Sequence, residues 1–375
     1  MIYRGDSGYS PYTPITGGKK RAFIMFEKLP ATPDDFYQDI IGETLTAIKV
    51  NTFYDNFDAQ RFNYDGVDRS MEWMAHERVV YFDWFYKNAV NLANAYSLLE
   101  DDKSKSLYLH IIAYRLASHF SVKLPVDFLD EKSIAEYQNI EVSTESELEF
   151  TGAFGKLKHF DFNYDNKRYV VDCLGLSYYL QRKQYFYDRD GVSIKPEADD
   201  VVIDGGACLG DSAAVFSNAV GENGKVYAFD PVKDHLDILQ YNINQFPLKN
   251  VVAMPYGLSN ENIDAEPITL NGYAPGFSPN NITVPLRTID SLVDSGEIEK
   301  VDFIKLDVEG YELDVLLGAA QSIQKFQPKL AISLYHKPND IFELITYIRD
   351  TYPFYHLHIG HYTIHNEETV LYCAP

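Results

Sequence analysis

The sequence predicts an α/β protein: a parallel sheet covered by helices on both faces, behind a mainly helical amino-terminal region. Three observations carry that expectation. After Pro196, strand-like apolar runs alternate with helix-period segments; the first of those strands runs into a glycine turn, "VVIDGGACLGDSA"; and a later one ends in "IKLDVEGYE", which sets two acids and a glycine directly after a buried run.

Length and composition set the limits. A chain of 375 residues with 46% hydrophobic content has room for roughly two or three domains of about 150 residues and can fill a real core. A formal net charge of -22 repels a phosphate backbone, and no basic stripe offsets it, since Lys103 with Lys105 and the run Gly18 to Arg21 are short surface patches. No nucleic-acid partner is expected. The three cysteines, Cys173, Cys208 and Cys373, are scattered, which argues against a zinc site or a disulfide framework and for a reducing compartment. No stretch resembles a signal peptide or reaches the length of a membrane span, and Cys373 is one place short of a prenylation position, so a cytoplasmic protein with no membrane span is expected.

The elements run in order. The opening seventy residues, rich in Gly, Pro, Asn, Asp and Tyr with little sustained period, predict an irregular arm or loop-rich cap. Met71 to Leu99 keeps Trp73, Val80, Trp84, Val90 and Leu98 at helical spacing without Gly or Pro, which predicts one helix or two. "KSKSLYLHIIAYRLASHF" comes after the polar turn at Glu100, Asp101 and Asp102 and predicts another, ending before Pro125. Residues 1–150 thus read as a mainly helical region for substrate recognition or dimerisation, which would make a homo-oligomer. Residues 151–196 read as a transition packing on the next domain, with short strands in "HFDFNYDNKRYVVDCL" and a helical pattern in "GLSYYLQRKQYFYD".

Residues 197–375 read as the α/β domain. Strand "DVVIDGG" leads to helix "GDSAAVFSNAVG", strand "KVYAFDP" to helix "VKDHLDILQYNINQF", and strand "NVVAMPYGL" comes next. A polar excursion from Ser259 to Leu286 precedes "RTIDSLVDSG", strand "VDFIKLDVEG", helix "YELDVLLGAAQSIQKF", strand "KLAISLYH" and helix "NDIFELITYIRDTY". "FYHLHIGHYT" and "ETVLYCAP" predict an antiparallel closing pair.

The glycine turn predicts a cofactor pocket. Gly205, Gly206 and Ala207 let a ligand approach bare backbone, Gly210 lets the next helix pack on the strand, and Asp211 or Ser212 can cap that helix. Cys208 stands where the dinucleotide fingerprint has its middle glycine, which disfavours a nicotinamide cofactor. Asp230 lies 20 residues beyond Gly210 (230 minus 210), the distance at which an acid grips ribose hydroxyls in NAD and S-adenosylmethionine sites alike.

Together "VVIDGGACLGDSA", "VYAFDP", "LRTIDSL" and "FIKLDVEGYELDVLLGA" resemble the FkbM family of class I S-adenosylmethionine-dependent methyltransferases, over roughly Asp200 to Pro375. The resemblance implies a Rossmann-like seven-stranded methyltransferase sheet with a reversed last strand and S-adenosylmethionine as cofactor. It also implies methyl transfer to a hydroxyl of a sugar, nucleotide sugar, glycan precursor or other natural product. Residue by residue it places Asp204, Gly206, Ala207, Cys208 and Gly210 around the methionine end of the cofactor, with Gly205, Asp211 and Ser212 in the same turn. Asp230, followed by Pro231, takes the ribose, and Gly257, Leu258 and Ser259 border the adenine. Asp230 stands where family members often carry Glu.

The two acids of "IKLDVEGYE" fall at the carboxyl end of a strand opposite the glycine turn, where an open parallel sheet holds its ligand. Asp307 is expected to face the reaction; Glu309 is expected either to touch substrate or to complement the helix that begins near Gly310 or Tyr311. Methyl transfer from a sulfonium needs its acceptor held in line, and an alcohol acceptor must also lose a proton. His336, closing "KLAISLYH", is the expected base, with Asp307 orienting the acceptor or the imidazole. A divalent metal held by the carboxylates is the less favoured way to acidify the hydroxyl. His356, His358, His361 and His365 are read as surface or core residues rather than a metal cluster. Among 29 tyrosines, Tyr185 and Tyr335 are best placed to line a cleft for a carbohydrate or other small polar acceptor. The rival readings are a nucleotide-dependent oxidoreductase and a binding module that has kept the sheet and lost the chemistry.

Overall fold

The computed structural model describes residues 25–58, 71–148, 156–245, 248–269 and 281–375. Within the stretch expected to be irregular lies an 18-residue helix, α1 (Pro33–Val50); residues 1–24 and 59–70 of the expected arm lie outside the described residues. Thr32 caps α1 by accepting from the Asp35 amide at 3.1 Å, Pro33 opens it, and Asp34 and Asp35 complement its free amides. Phe36, Ile40, Thr44 and Ala47 are buried along one face. Thr44 on that face and a glycine, Gly42, within the helix blur the period in the sequence. The two expected helices are α2 (Met71–Leu98) and α3 (Asp102–Ala117).

The chain divides into two compact units, one of residues 1–93, 106–125 and 364–366, the other of residues 94–105, 126–363 and 367–375. In the first, Tyr37 stacks on Phe85 with ring centroids 5.7 Å apart, Arg78 donates to the Ala117 carbonyl at 2.7 Å, and the Asn56 amide donates to the carbonyls of His119 and Val122.

The second unit begins its regular structure beyond α3 with α4 (Glu131–Ile140), β1 (Thr144–Glu145), β2 (Lys158–Tyr164), β3 (Lys167–Cys173), α5 (Ser177–Leu180), β4 (Tyr187–Arg189) and β5 (Val192–Ile194). β2 and β3 form a hairpin whose turn, Asp165 and Asn166, takes positive φ of 50° and 59°, a conformation these two residue types tolerate. The helix expected in "GLSYYLQRKQYFYD" stops at Leu180, because Lys183 and Tyr185 adopt positive φ of 61° and 67°, which no α-helix accommodates. Where a transition is expected, Phe160, Val171, Tyr185 and Ile194 share one buried core with Phe216 and Phe303, so the second unit runs through residue 196 without a break.

The sheet elements come next: β6 (Val201–Gly205), α6 (Asp211–Val220), β7 (Lys225–Phe229), α7 (Lys233–Gln245), β8 (Val251–Met254), β9 (Gly257–Leu258), β10 (Ile263–Thr269), β11 (Asn281–Arg287) and α8 (Ile289–Asp294). Then come β12 (Phe303–Leu306), α9 (Glu312–Leu317), α10 (Ala320–Phe326), β13 (Lys329–Ser333), α11 (Asp340–Thr351), β14 (His356–His361) and β15 (Thr369–Ala374). The expected seven-stranded sheet has the order β14-β15-β13-β12-β6-β7-β8, with β15 antiparallel to both neighbours. Two details differ from expectation. The polar excursion contains a hairpin, β10 with β11, flanked by β9, while residues 270–280 lie outside the described residues. The helix expected after "DVEG" is broken in two at Gly318, where a Cβ would meet the Ser259 carbonyl at 2.0 Å.

Register positions the site. Gly205 pairs with Phe229 and with Leu306, and Leu306 pairs with Ile332. Gly206, Asp230 and Asp307 lie just beyond these strand ends and Ser333 closes β13, so all four stand at the carboxyl end, where such sheets hold ligands.

The four carboxyl-terminal histidines each have their own partner: His356 pairs with Glu100, His358 with Asp101, His361 with Thr369, and, in the first unit, His365 with the Tyr114 hydroxyl. Among the described residues no group of three or more His, Cys, Asp or Glu is arranged to hold a metal ion, and no helix is long and apolar enough to cross a membrane.

Candidate active site

The turn after β6 is fixed on every side. The amides of Gly206 and Ala207 donate to the Phe229 carbonyl at 3.0 and 2.9 Å, and the Cys208 amide donates to Oδ2 of Asp230 at 3.1 Å. Gly206 has φ of 77°, and a Cβ there would lie 1.8 Å from the Asp307 carbonyl oxygen, so the close approach of two strand ends requires glycine. Gly210, with φ of 92°, starts α6 where a Cβ would meet Leu239 at 2.6 Å. Cys208, also at positive φ, sets its Sγ 3.9 Å from Nε2 of His235.

Asp230 closes β7. Oδ1 accepts from the Val232 amide at 2.9 Å, and Oδ2, besides the Cys208 amide, lies 3.1 Å from Nδ1 of His235. Burial opposes a charge on His235, but Cys208 and Asp230 outweigh it and hold the imidazole above its ordinary value. The ribose acid is thereby tied to the turn it would share with the cofactor.

Across the edge, Asp307 is braced by three hydroxyls. Tyr185 donates to Oδ2 at 2.9 Å; Ser333 and Tyr335 donate to Oδ1 at 3.0 and 2.7 Å. Burial would raise this carboxyl, but Lys305, then His336, then the tyrosine hydroxyls hold it below the usual carboxylate range. The Tyr185 hydroxyl reaches it because the chain at Tyr185 accepts a left-handed conformation that costs a bulky residue on the order of 1–3 kcal/mol.

His336 stands beside it. Nδ1 donates to Oε1 of Glu312 at 2.8 Å, while Nε2 lies 3.4 Å from Asp307 and 3.9 Å from Glu309. Burial opposes protonation, but the Glu312 hydrogen bond and the charges of Glu312, Asp307 and Glu309 prevail and push His336 up to about 10. A ring so raised favours the imidazolium form, which donates hydrogen bonds and takes no proton. That weighs against the expected histidine base.

Glu309 differs from its neighbours. It sits at φ of 54° with its side chain 56% exposed. The helix that begins at Glu312 has Tyr311 at its N-cap position with no side-chain cap hydrogen bond, and the Glu312 carboxylate accepts from the Val308 amide at 2.9 Å. Desolvation, then the nearby carboxylates of Asp307, Glu312 and Glu368, raise Glu309 above the ordinary glutamate value against the pull of His336.

Residues 204–354 match the family model described as the methyltransferase FkbM domain. That stretch carries an FkbM-type methyltransferase domain. Over 132 residues, 34% of this chain, the sequence is 36% identical to the hexuronic acid methyltransferase AglP of Haloferax volcanii. The chain spans about half, 53%, of the length of that curated relative. The crystal structure of methyltransferase FkbM from Methylobacillus flagellatus KT is similar with a TM-score of 0.50 at 20% identity, covering 77% of this chain and 59% of that one, a likeness of fold. The bare backbone of the glycine turn together with the Asp230 carboxylate fits the S-adenosylmethionine that the resemblance implies.

Within the FkbM domain the expected site residues separate into two layers. Gly206, Cys208, Asp230, Asp307, Glu309 and Tyr335 stand at the sheet edge. At Gly257 a Cβ would meet Leu286 at 2.6 Å, with Pro231 at 3.6 Å. Asp204, expected at the cofactor, is fully buried: Oδ2 accepts from the equally buried Ser212 hydroxyl at 2.7 Å and Oδ1 lies 3.1 Å from Nζ of Lys305. Gly205 and Ala207 lie beneath the turn with them, and Asp211, pushed up to about 6 by burial, accepts from the Ser212 amide. Leu258 and Ser259 are also buried, as is Tyr185, whose hydroxyl donates to Asp307. Sequence reading missed Lys305, Glu312, Ser333, His235 and Glu368, whose Oε2 accepts from Gln184 at 2.7 Å. Of these, a lysine inside an otherwise apolar strand was the one visible signal.

Proposed function

We propose that the protein is an S-adenosylmethionine-dependent O-methyltransferase acting on a hydroxyl of a sugar, a nucleotide sugar or a glycan precursor. The observation that carries the reading is the meeting, at one sheet edge, of the Gly206 turn and Asp230 with a hydroxyl-braced Asp307 and its imidazolium neighbour. AglP bears a hexuronic acid in its name, which supports a carbohydrate acceptor.

When bound, the cofactor supplies an electrophilic methyl group on sulfur. The chain's own residues are left with holding the acceptor oxygen and removing its proton. Asp307, with both oxygens already accepting and its carboxyl held low, is a poor base and a good fixed acceptor for orienting a hydroxyl. Glu309, exposed and raised, is the group we assign to take the proton. The His336 imidazolium next to both carboxylates stabilises the negative charge that develops on the oxygen.

Calorimetry with S-adenosylmethionine, S-adenosylhomocysteine and NAD separates this reading from an oxidoreductase and from a site without cofactor. Mass spectrometry of labelled-methyl transfer to free sugars, nucleotide sugars and non-sugar alcohols then identifies the acceptor. Binding of NAD alone, or label on nitrogen or carbon rather than oxygen, overturns the reading.

A further inference from the structure

Lys305 lies in the middle of β12, a strand whose four residues are all buried, and is itself 2% exposed. An ammonium survives there only if its charge and its N–H groups are met. Nζ donates to the carbonyls of Gly205 and Gly206 at 3.0 and 2.7 Å, stands 3.1 Å from Oδ1 of Asp204, and lies 5.4 Å from the centre of the Tyr185 ring.

The two carbonyls belong to the peptides whose N–H groups, on Gly206 and Ala207, donate to Phe229. Each peptide plane of the turn is thus gripped at both edges, by the β7 strand end on one side and by Lys305 on the other. Gly205 O also accepts from the Asp307 amide at 3.1 Å, and Tyr185, beneath the ammonium, donates to the Asp307 carboxylate.

We infer that Lys305 is a positioning residue for methyl transfer, clamping the glycine turn from below and balancing the buried carboxylate of Asp204 on the cofactor side against that of Asp307 on the acceptor side. The inference rests on reading the turn as the cofactor cradle. Asp204, Asp307 and Asp211 keep Lys305 charged against the cost of burial, and Lys305 is the leading charge that holds Asp307 ionised. Asp307 also faces His336, Tyr185, Ser333 and Tyr335, with Glu309 and Glu368 beyond them.

The test is Lys305→Met, which keeps the stem and removes the ammonium. We expect S-adenosylhomocysteine affinity to fall at least tenfold and the acid limb of the pH–rate profile, set by Glu309 in the wild-type protein, to steepen and move up as Asp307 comes to protonate in the same range. A lysine of purely structural use would lower the melting temperature and leave the limb in place, and that result overturns the inference. Should Lys305→Met not fold, the wild-type protein labelled with 15N at lysine Nζ gives the second measurement. A protected Lys305 ammonium resonance that shifts on adding S-adenosylhomocysteine supports the clamp, and one that does not shift overturns it. Wild-type protein that binds neither S-adenosylmethionine nor S-adenosylhomocysteine would sink the proposed function itself, whereas normal wild-type binding with an unperturbed variant sinks the clamp alone.

Discussion

Nδ1 of His336 lies 2.8 Å from Oε1 of Glu312, and both side chains are nearly out of solvent, at 8% and 1% exposure. With Asp307 on the other side of the ring, the pair raises the imidazole from its ordinary 6.5 to about 10. A raised value in the folded state means that the stabilisation is complete below about 6.5 and is lost as pH climbs through about 10. Glu312→Gln should bring the His336 titration, followed by NMR, back towards the ordinary range and cost about 3 kcal/mol in chemical denaturation. A native-like titration in that variant would show that Glu312 does not hold the proton on the ring.

The base assignment separates cleanly in kinetics. If Glu309 takes the proton, kcat/KM rises with pH through an apparent value above the ordinary glutamate one and then levels off; if His336 did, activity would keep rising to about 10. Glu309→Gln is expected to lower kcat by about 100-fold to 10,000-fold while leaving S-adenosylhomocysteine affinity within about twofold. Equal losses of both would assign Glu309 to holding the site together.

The α/β alternation, the glycine turn and the acids after β12 were legible in the chain because each leaves a local pattern: a strand run, a forced positive φ, a spacing of 20 between Gly210 and Asp230. The charge on His336 was not legible, because it depends on Glu312 and Asp307 meeting the ring from a helix start and a neighbouring strand. The burial of Asp204 against Ser212 and Lys305 was hidden for the same reason. Alternation along a strand tells which side a residue takes, and not whether that side is a cleft or a buried cluster closed by Lys305. α1 was hidden because its buried face includes a threonine and the helix contains a glycine.

Gly206 and Gly191 make a matched pair of probes. Both have positive φ, 77° and 84°, but a Cβ at Gly206 would lie 1.8 Å from the Asp307 carbonyl, whereas at Gly191 nothing stands within 4 Å. Gly191→Ala should therefore cost only the conformational penalty, on the order of 1–2 kcal/mol, with cofactor affinity unchanged. Gly206→Ala should cost more in denaturation and should abolish S-adenosylhomocysteine binding in calorimetry, since the turn must leave the β12 end to make room. Equal behaviour of the two variants would mean that the approach of Gly206 to Asp307 is not needed to form the cradle.

Asp230 accepts from the Cys208 and Val232 amides and contacts His235, so its carboxylate braces the turn as well as offering itself to a ribose. Asp230→Asn keeps an oxygen for Val232 but sets an amide NH2 against two donors, the Cys208 amide and the His235 ring, if Oδ2 is the oxygen replaced. His235→Gln leaves the carboxylate and its two amide bonds intact. We expect S-adenosylhomocysteine affinity to fall at least tenfold in Asp230→Asn and only a few-fold in His235→Gln, both read by calorimetry. If both variants lose affinity equally, the charged His235 is itself needed to hold the acid in place. If neither loses any, Asp230 does not contact the ribose, and the cofactor's hydroxyls must find another partner.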